Sequence, residues 1–404
     1  MQTSLAEVFQ ATPEGQEAER ILRTCVHCGF CTATCPTYQL LGDELDGPRG
    51  RIYLMKRVLE GHSATQTTQQ HLDRCLTCRA CETACPSGVQ YSRLLDIGRN
   101  VVEEQVRRPR GERAARYLLR RVVPYPQRVA HVLRLARWLR PLLPHRLRRM
   151  VTPKEAVVGL WPAGRHKRKM LLLDGCVQPI LAPAINMTAA RVLDRLGIEL
   201  IRIPKAGCCG AISHHLAATE EAKQFMRHNI DAWWPYVEQG IEAIVITASG
   251  CTPMVKDYAD LLRRDPNYAA RANTVSKLAK DIAEVVSIED ISRLAPSAWA
   301  PQRVAFHSPC TLTHAQGLHG RVESLLRALK IPLVPAEDAQ TCCGSAGTYS
   351  LLQSELSMRL LHQKIKALET HQPQLIVTAN IGCYGHLRQA ASVPVRHWIE
   401  LLDG

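Results

Sequence analysis

Sixteen cysteines stand in this 404-residue chain, and eight of them fall into two runs of one design. The first run is Cys25-x2-Cys28-x2-Cys31-x3-Cys35-Pro36, and the second is Cys75-x2-Cys78-x2-Cys81-x3-Cys85-Pro86. Three thiolates at three-residue steps, then a fourth before proline, is the spacing that holds a [4Fe–4S] cubane. The first three bind three irons of one cluster, and the fourth usually serves the neighbouring cluster. Two runs therefore predict two clusters with exchanged ligands. Cys25, Cys28, Cys31 and Cys85 are expected to hold one, and Cys35, Cys75, Cys78 and Cys81 the other. The chemistry is one-electron transfer.

Zinc also takes four thiolates, but structural zinc sites use separated C-x2-C pairs rather than three cysteines in step followed by Cys-Pro. Disulfides need an oxidising compartment. The first twenty residues, MQTSLAEVFQATPEGQEAER, have neither a basic start nor an apolar stretch, so they do not read as a secretory signal. A reducing cytoplasm and a metal role for cysteine agree better with this chain.

The other eight cysteines form an internal repeat. The first copy has Cys176, then Cys208-Cys209-Gly210, then Cys251 in TASGC; the second has Cys310, then Cys342-Cys343-Gly344, then Cys383 in TANIGC. Cys176 to Cys208 and Cys310 to Cys342 both span 32 positions. Such self-similarity marks a duplicated module. A glycine after each vicinal pair lets the backbone turn tightly enough for both thiols to reach one centre. The functional reading is an additional iron–sulfur or thiol redox centre in each copy. The plain alternative is a group of reduced core cysteines.

These cysteines have to be positioned by regular elements. In copy one, strands are expected at 169–174, 198–203 and 243–247, with helices at 189–196 and 220–238 between them. Copy two runs strand 304–307, helix 322–329, strand 331–334, helix 355–369 and strand 374–378. Each is β-α-β-α-β, so the fold class is α/β with largely parallel sheets. Every one of these cysteines lies just past a strand's carboxyl end, where open parallel sheets bind ligands. The modules are placed at 169–295 and 302–404. Residues 1–105 read as an α-helical ferredoxin domain. The 39 residues between Cys35 and Cys75 are too many for a compact β-rich two-cluster ferredoxin, and 51–60 has helical periodicity ending at Gly61.

A basic, proline-punctuated connector, 106–168, joins the two parts. Residues 107–169 hold 19 Lys or Arg against Glu112 and Glu155, so the net charge of +14 is local to this segment. Between Pro126 and Pro141 one helix is expected, with Val132, Leu135, Trp138 and Leu139 on one side and Arg134, Arg137 and Arg140 on another. Such a helix packs on its own protein or a partner subunit, or lies on an anionic membrane surface. No nucleic-acid motif accompanies the charge. No window approaches 18 uninterrupted apolar residues, so no membrane-spanning helix is expected.

Among other residues, His27 is expected to tune hydrogen bonding near a cluster rather than ligate it. His214, His215 and His314 read as hydrogen-bonding or surface histidines, with quinone or proton transfer as the sharper alternative. The Trp233-Trp234 pair reads as core or interface. No G-x-G-x-x-G, P-loop, nucleophile elbow or zinc-protease motif is present. No flavin is expected on this chain and no catalytic residue is assigned, so any substrate oxidation belongs to another subunit.

The stretches CVHCGFCTATCPTY (25–38), GDELDGPRGR (42–51), CLTCRACETACPSG (75–88), CCGSAGTY (342–349) and TANIGC (378–383) closely resemble the iron–sulfur subunits of bacterial glycolate oxidases. The likeness covers nearly the whole chain. It implies two [4Fe–4S] clusters in an electron-transfer subunit that sits with FAD-binding subunits on the inner face of the bacterial inner membrane. Electrons from the oxidation of glycolate to glyoxylate would pass through it to a quinone-type acceptor. Related Cys-Cys-Gly proteins serve lactate utilisation, anaerobic glycerol-3-phosphate oxidation and heterodisulfide reduction. Heterodisulfide reductase modules end in C-x2-C, whereas Ala248 and Asn380 stand at the first cysteine of that pair here. This departure counts against their disulfide chemistry.

Overall fold

The computed structural model describes residues 1–142, 159–297, 300, 303–337 and 341–404. The stretch of the basic connector at 143–158 lies outside them.

Residues 1–105 are helical, and no strand occurs among them. Thr12 caps helix Pro13–Thr24 by accepting the Gly15 N–H at 3.1 Å, and Pro13 fills the first turn, where a missing N–H costs nothing. The predicted helix at 51–60 is Pro48–Leu59; it starts earlier because Pro48 is again at the first helical position. It ends before Gly61, whose φ of +95° suits only glycine. Helices Pro13–Thr24, Pro48–Leu59 and Tyr91–Gln105 bury Ile21, Leu22, Met55, Leu59, Leu94 and Leu95 in one core. Close approach needs Gly98, because a Cβ there would lie 2.5 Å from the Met55 sulfur.

Each repeat is an open sheet. The first joins strands β1 (Arg168–Leu173), β2 (Ile198–Arg202), β3 (Ala243–Ile246) and β4 (Ala279–Asp281) in the order β2-β1-β3-β4. The second joins β5 (Val304–His307), β6 (Leu333–Val334), β7 (Leu375–Thr378) and β8 (Val395–His397) in the order β6-β5-β7-β8. All pairings are parallel and the two strand orders correspond. The repeat read from cysteine spacing is therefore a repeat of fold. Each copy carries one strand more than β-α-β-α-β. Strands β4 and β8 are three residues long, too short for periodicity to mark.

Parallel sheets must be covered on both faces. Met170 and Leu172 of β1 face a core with helix Ala184–Arg195, whereas Leu171 and Leu173 face helices Thr219–Val237 and Ala269–Leu278. The first of these cores runs on into the second copy through Val304, Phe306 and Ile376. The two copies are also stitched by hydrogen bonds from backbone N–H groups. The Ser249 N–H donates to the Ala379 carbonyl at 3.0 Å, and the Gly250 N–H donates to Asn380 Oδ1 at 3.1 Å.

The described part of the connector holds the α-helices Arg110–Val122 and Pro126–Trp138 and a 3-10 turn, Arg140–Leu142. The helices are held by charge: Arg108 and Arg116 pair with Asp73 at 2.5 and 3.1 Å, and Arg120 with Glu221 at 3.6 Å. Val129 is the residue of the second helix that turns inward, while Val132, Leu135 and Trp138 stay exposed, Trp138 at 77%. Among the described residues nothing covers Val132, Leu135 and Trp138 fully, while Leu139 is half-buried. No helix among the described residues is long and apolar enough to cross a membrane.

Candidate iron–sulfur centres

The two N-terminal cysteine runs fold alike because their backbones turn at the same places. Two residues after the first cysteine of each run, His27 and Thr77 have φ of 57° and 53°; four residues after it, Gly29 and Arg79 have 85° and 61°. Left-handed residues are costly for anything but glycine, and alternating them curls a chain around a centre. Each run ends at a short helix or turn opened by Cys-Pro.

Two cavities result. The outer one, about 430 Å³ including open solvent, is lined by Cys25, Cys28, Cys31 and Cys85. The inner one, about 380 Å³ on the same measure, is lined by Cys35, Cys75 and Cys78. Cys81 and Tyr91 border both. Cys35 and Cys85 thus each line the cavity of the other run. Backbone donors point at sulfur: the Thr77 N–H reaches Cys75 Sγ at 3.4 Å and the Val89 N–H reaches Cys85 Sγ at 3.5 Å. The Tyr91 hydroxyl donates to Cys75 Sγ at 3.7 Å. Soft donors, N–H groups aimed at them and nearby positive charge are what an anionic thiolate cluster requires, so these residues fit.

The positive charge is Arg51, which sequence reasoning placed in a helix and gave no role. Its side chain is 1% exposed and lines the inner cavity. Its guanidinium donates to Thr37 Oγ1 at 3.2 Å and to the His71 carbonyl at 2.7 Å, and approaches Cys35 Sγ at 4.0 Å. Fully buried Asp46 balances it at 3.4 Å and also takes Arg74 at 2.8 Å and His71 Nδ1 at 3.0 Å. A signal was present: Arg51 shares the inward stripe of Met55 and Leu59 at helical steps, where a surface arginine would not fall.

The cysteines of the repeats converge as expected. In copy one, Cys176, Cys208, Cys209 and Cys251 are near enough to act on one another's thiols. In copy two, Cys310 Sγ lies 4.0 Å from Cys342 Sγ, and Cys343 acts on Cys342 and Cys383 on Cys343. Gly210 and Gly344 take φ of 90° and 86°, and their N–H groups return to Cys208 Sγ and Cys342 Sγ at 3.4 Å. A Cβ on Gly344 would lie 2.7 Å from the Ser357 carbonyl oxygen, so the turn also needs glycine for room.

The copies are not placed equally. Cys78 of the inner cavity packs in one small apolar cluster with Leu76, Tyr349, Cys310 and Cys342. Burial, then the neighbouring Cys310, holds the Cys78 thiol well above its usual range. The second copy therefore abuts the inner cavity directly. The outer cavity opens beside exposed Cys28, Val26 and Phe30.

The histidines separate by role. His27 borders the outer cavity, and its buried Nε2 has no protein partner among the described residues. His314 Nδ1 bonds Thr83 Oγ1 at 3.1 Å. Trp233 is fully buried. His214 Nε2 meets Asp96 Oδ2 at 3.0 Å, joining the helical unit to the first repeat. Burial opposes charge on both groups. The pairing outweighs it, so Asp96 falls to about 2 and His214 rises. Asp96 then stabilises this contact above its ordinary 3.8 and loses effect as pH falls toward 2; His214 stabilises it below its ordinary 6.5 and loses effect as pH rises through its raised value. The contact is expected to be firmest between those ordinary values. Melting curves of wild type and Asp96→Asn across pH will check this: the variant should lose the alkaline slope, and an unchanged slope would refute the coupling.

Family models match along the chain: a 4Fe-4S dicluster domain over residues 21–89 and a cysteine-rich domain twice, over 170–256 and 304–388. With the thiol-lined cavities, these define an iron–sulfur protein. The chain is 52% identical over 403 residues to the glycolate oxidase iron-sulfur subunit of Escherichia coli K12, covering 100% of this chain and 98% of that one. It is 30% identical to the probable glycolate oxidase iron-sulfur subunit of Bacillus subtilis 168, covering 99% and 98%. Lactate utilization protein A of Anoxybacillus flavithermus is 26% identical over 239 residues, covering 56% of this chain and 96% of that one. The chain belongs to the family of glycolate oxidase iron–sulfur subunits and is an electron-transfer subunit.

Proposed function

We propose that this chain relays electrons from a flavin-bearing partner that oxidises glycolate to glyoxylate toward a quinone-type acceptor. Cys25, Cys28, Cys31 and Cys85 hold an outer [4Fe–4S] cluster, and Cys35, Cys75, Cys78 and Cys81 hold an inner one. The observation that carries this reading is the pair of adjoining thiol-lined cavities that share Cys81. The outer one lies beside exposed Cys28, Val26 and Phe30, and the inner one is lined by Cys78, which packs with Cys310 and Cys342. Such an order gives an entry face and an inward path. Glycolate, rather than lactate, is supported by identity over the full chain to relatives named for glycolate oxidase. His27 Nε2 donates to the outer cluster.

The stripe Val132, Leu135 and Trp138, flanked by arginines, seats the subunit on the anionic inner face of the cytoplasmic membrane. Anaerobic purification with iron and sulfide quantification tests the centres. About eight irons per chain account for the N-terminal pair, and about twelve or sixteen load one or both repeats. Zinc without sulfide would overturn the reading. Flotation on phosphatidylglycerol vesicles tests the membrane face: Trp138→Asp should reduce binding, and equal flotation would refute it.

A further inference from the structure

Strand β5 ends in a histidine where β1 ends in a leucine. Counting back from the first cysteine of each repeat, His307 stands at the place of Leu173, and both are buried. His307 Nδ1 lies 2.9 Å from Oγ1 of Thr378, the last residue of β7. Its other nitrogen, Nε2, is buried and has no hydrogen-bond partner among the described residues. A buried polar atom left without a partner is costly, so its place in a fold calls for an explanation. The imidazole and the sulfurs of Cys343 and Cys383 present ligand atoms within 4.8 Å of one another.

Two further features distinguish the second repeat. Lys364, 2% exposed, acts electrostatically on both His307 and Cys310. Gly210 sits against Ala222 and Phe225 as Gly344 sits against Ser357 and Leu360, and this register aligns Lys364 with the neutral Asn229. The second repeat thus brings a buried cation to its thiols, as an anionic occupant would require. Asn380 Nδ2 donates to Cys383 Sγ at 3.4 Å, fixing that thiol's direction.

We propose that His307 Nε2 is a metal ligand, so that the second repeat carries an iron–sulfur centre held by one imidazole and three thiolates, Cys342, Cys343 and Cys383, with the Cys310 thiol beside Cys342. Thr378 accepts the Nδ1 proton, which fixes the tautomer and aims the Nε2 lone pair at the site. The first repeat, with Leu173, has no such ligand at this position. Imidazole in place of thiolate raises the potential of an iron–sulfur centre. The inner cluster, whose Cys78 packs with Cys310 and Cys342, then has an acceptor of higher potential beside it.

This inference rests on the reading of the chain as an iron–sulfur relay, and the N-terminal pair is its internal control. The full chain, purified anaerobically, is examined by pulsed EPR with and without nitrogen-isotope labelling of histidine. Wild type should show a cluster signal strongly coupled to a histidine nitrogen. His307→Leu should lose that coupling and leave the N-terminal signals unchanged. His307→Cys should keep the iron, lose the coupling and titrate at a lower potential. The proposal is overturned if wild type shows the N-terminal signals without nitrogen coupling, if His307→Leu changes neither iron nor spectra, or if this repeat holds zinc without sulfide. The wild-type coupling decides the matter even where His307→Leu does not fold. Absence of the N-terminal signals would instead sink the relay reading itself.

Discussion

Replacing Cys85 with serine is expected to strip the cluster held by Cys25, Cys28 and Cys31, about four irons, while the cluster of the second run survives. This runs against sequence order, because Cys85 closes the second run. The structure supplies the reason: Cys85 lines the outer cavity with the three cysteines of the first run. Its sulfur is held there by the Val89 N–H at 3.5 Å. A serine hydroxyl is a harder and far less acidic ligand, so it replaces thiolate poorly on iron. Cys35→Ser should do the reverse, since Cys35 lines the inner cavity. EPR of the reduced variants, read with iron and sulfide content, separates the two clusters. Loss confined to the inner cluster in Cys85→Ser would refute the crossed assignment.

Arg51→Met is expected to cost about 3–5 kcal/mol of stability and to empty the inner cavity. Methionine nearly matches the arginine stem in bulk, so the loss is mainly of charge and hydrogen bonds rather than of packing. Two opposing effects set the magnitude. Asp46, wholly buried, loses one cation but keeps Arg74 at 2.8 Å, which pulls the cost toward the lower end. The His71 carbonyl and Thr37 hydroxyl lose their donor, which pulls it back up. An uncompensated anionic cluster adds to the loss once metal binds. Arg51→Lys keeps the charge without the planar fork and should fall between the two. Denaturant midpoints and iron content are the readouts. An Arg51→Met protein with full iron, melting like wild type, would show that this charge does not serve the cluster.

The degree to which the sequence predicted these results varies by element. The glycines after each vicinal pair and the 32-residue spacing announced two equivalent modules, and the sheets share one strand order. Strands β4 and β8 went unseen because three residues carry no period. The helix before Pro141 was legible from its arginine and apolar stripes, but not which side faced inward. Val129 is buried while Val132, Leu135 and Trp138 are exposed, and only neighbours distant in sequence decide that. His307 was passed over as part of a strand. In sequence it is one residue in VAFH; its unsatisfied Nε2 exists only once β7 and the Cys342-Cys343 turn close around it.

By itself the sequence determined the ligand chemistry, since thiolates at three-residue steps are a local quantity that short turns convert directly into geometry. It determined the duplication and the parallel sheets, because pattern and spacing are also local. Tertiary structure alone decided which repeat packs against Cys78 of the inner cavity, which arginine lines that cavity, and that His307 Nε2 is left unsatisfied. Those outcomes depend on how separate units dock. Docking is set by many weak contacts between residues more than a hundred positions apart, such as Arg79 with Asp257 at 2.8 Å and His214 with Asp96 at 3.0 Å.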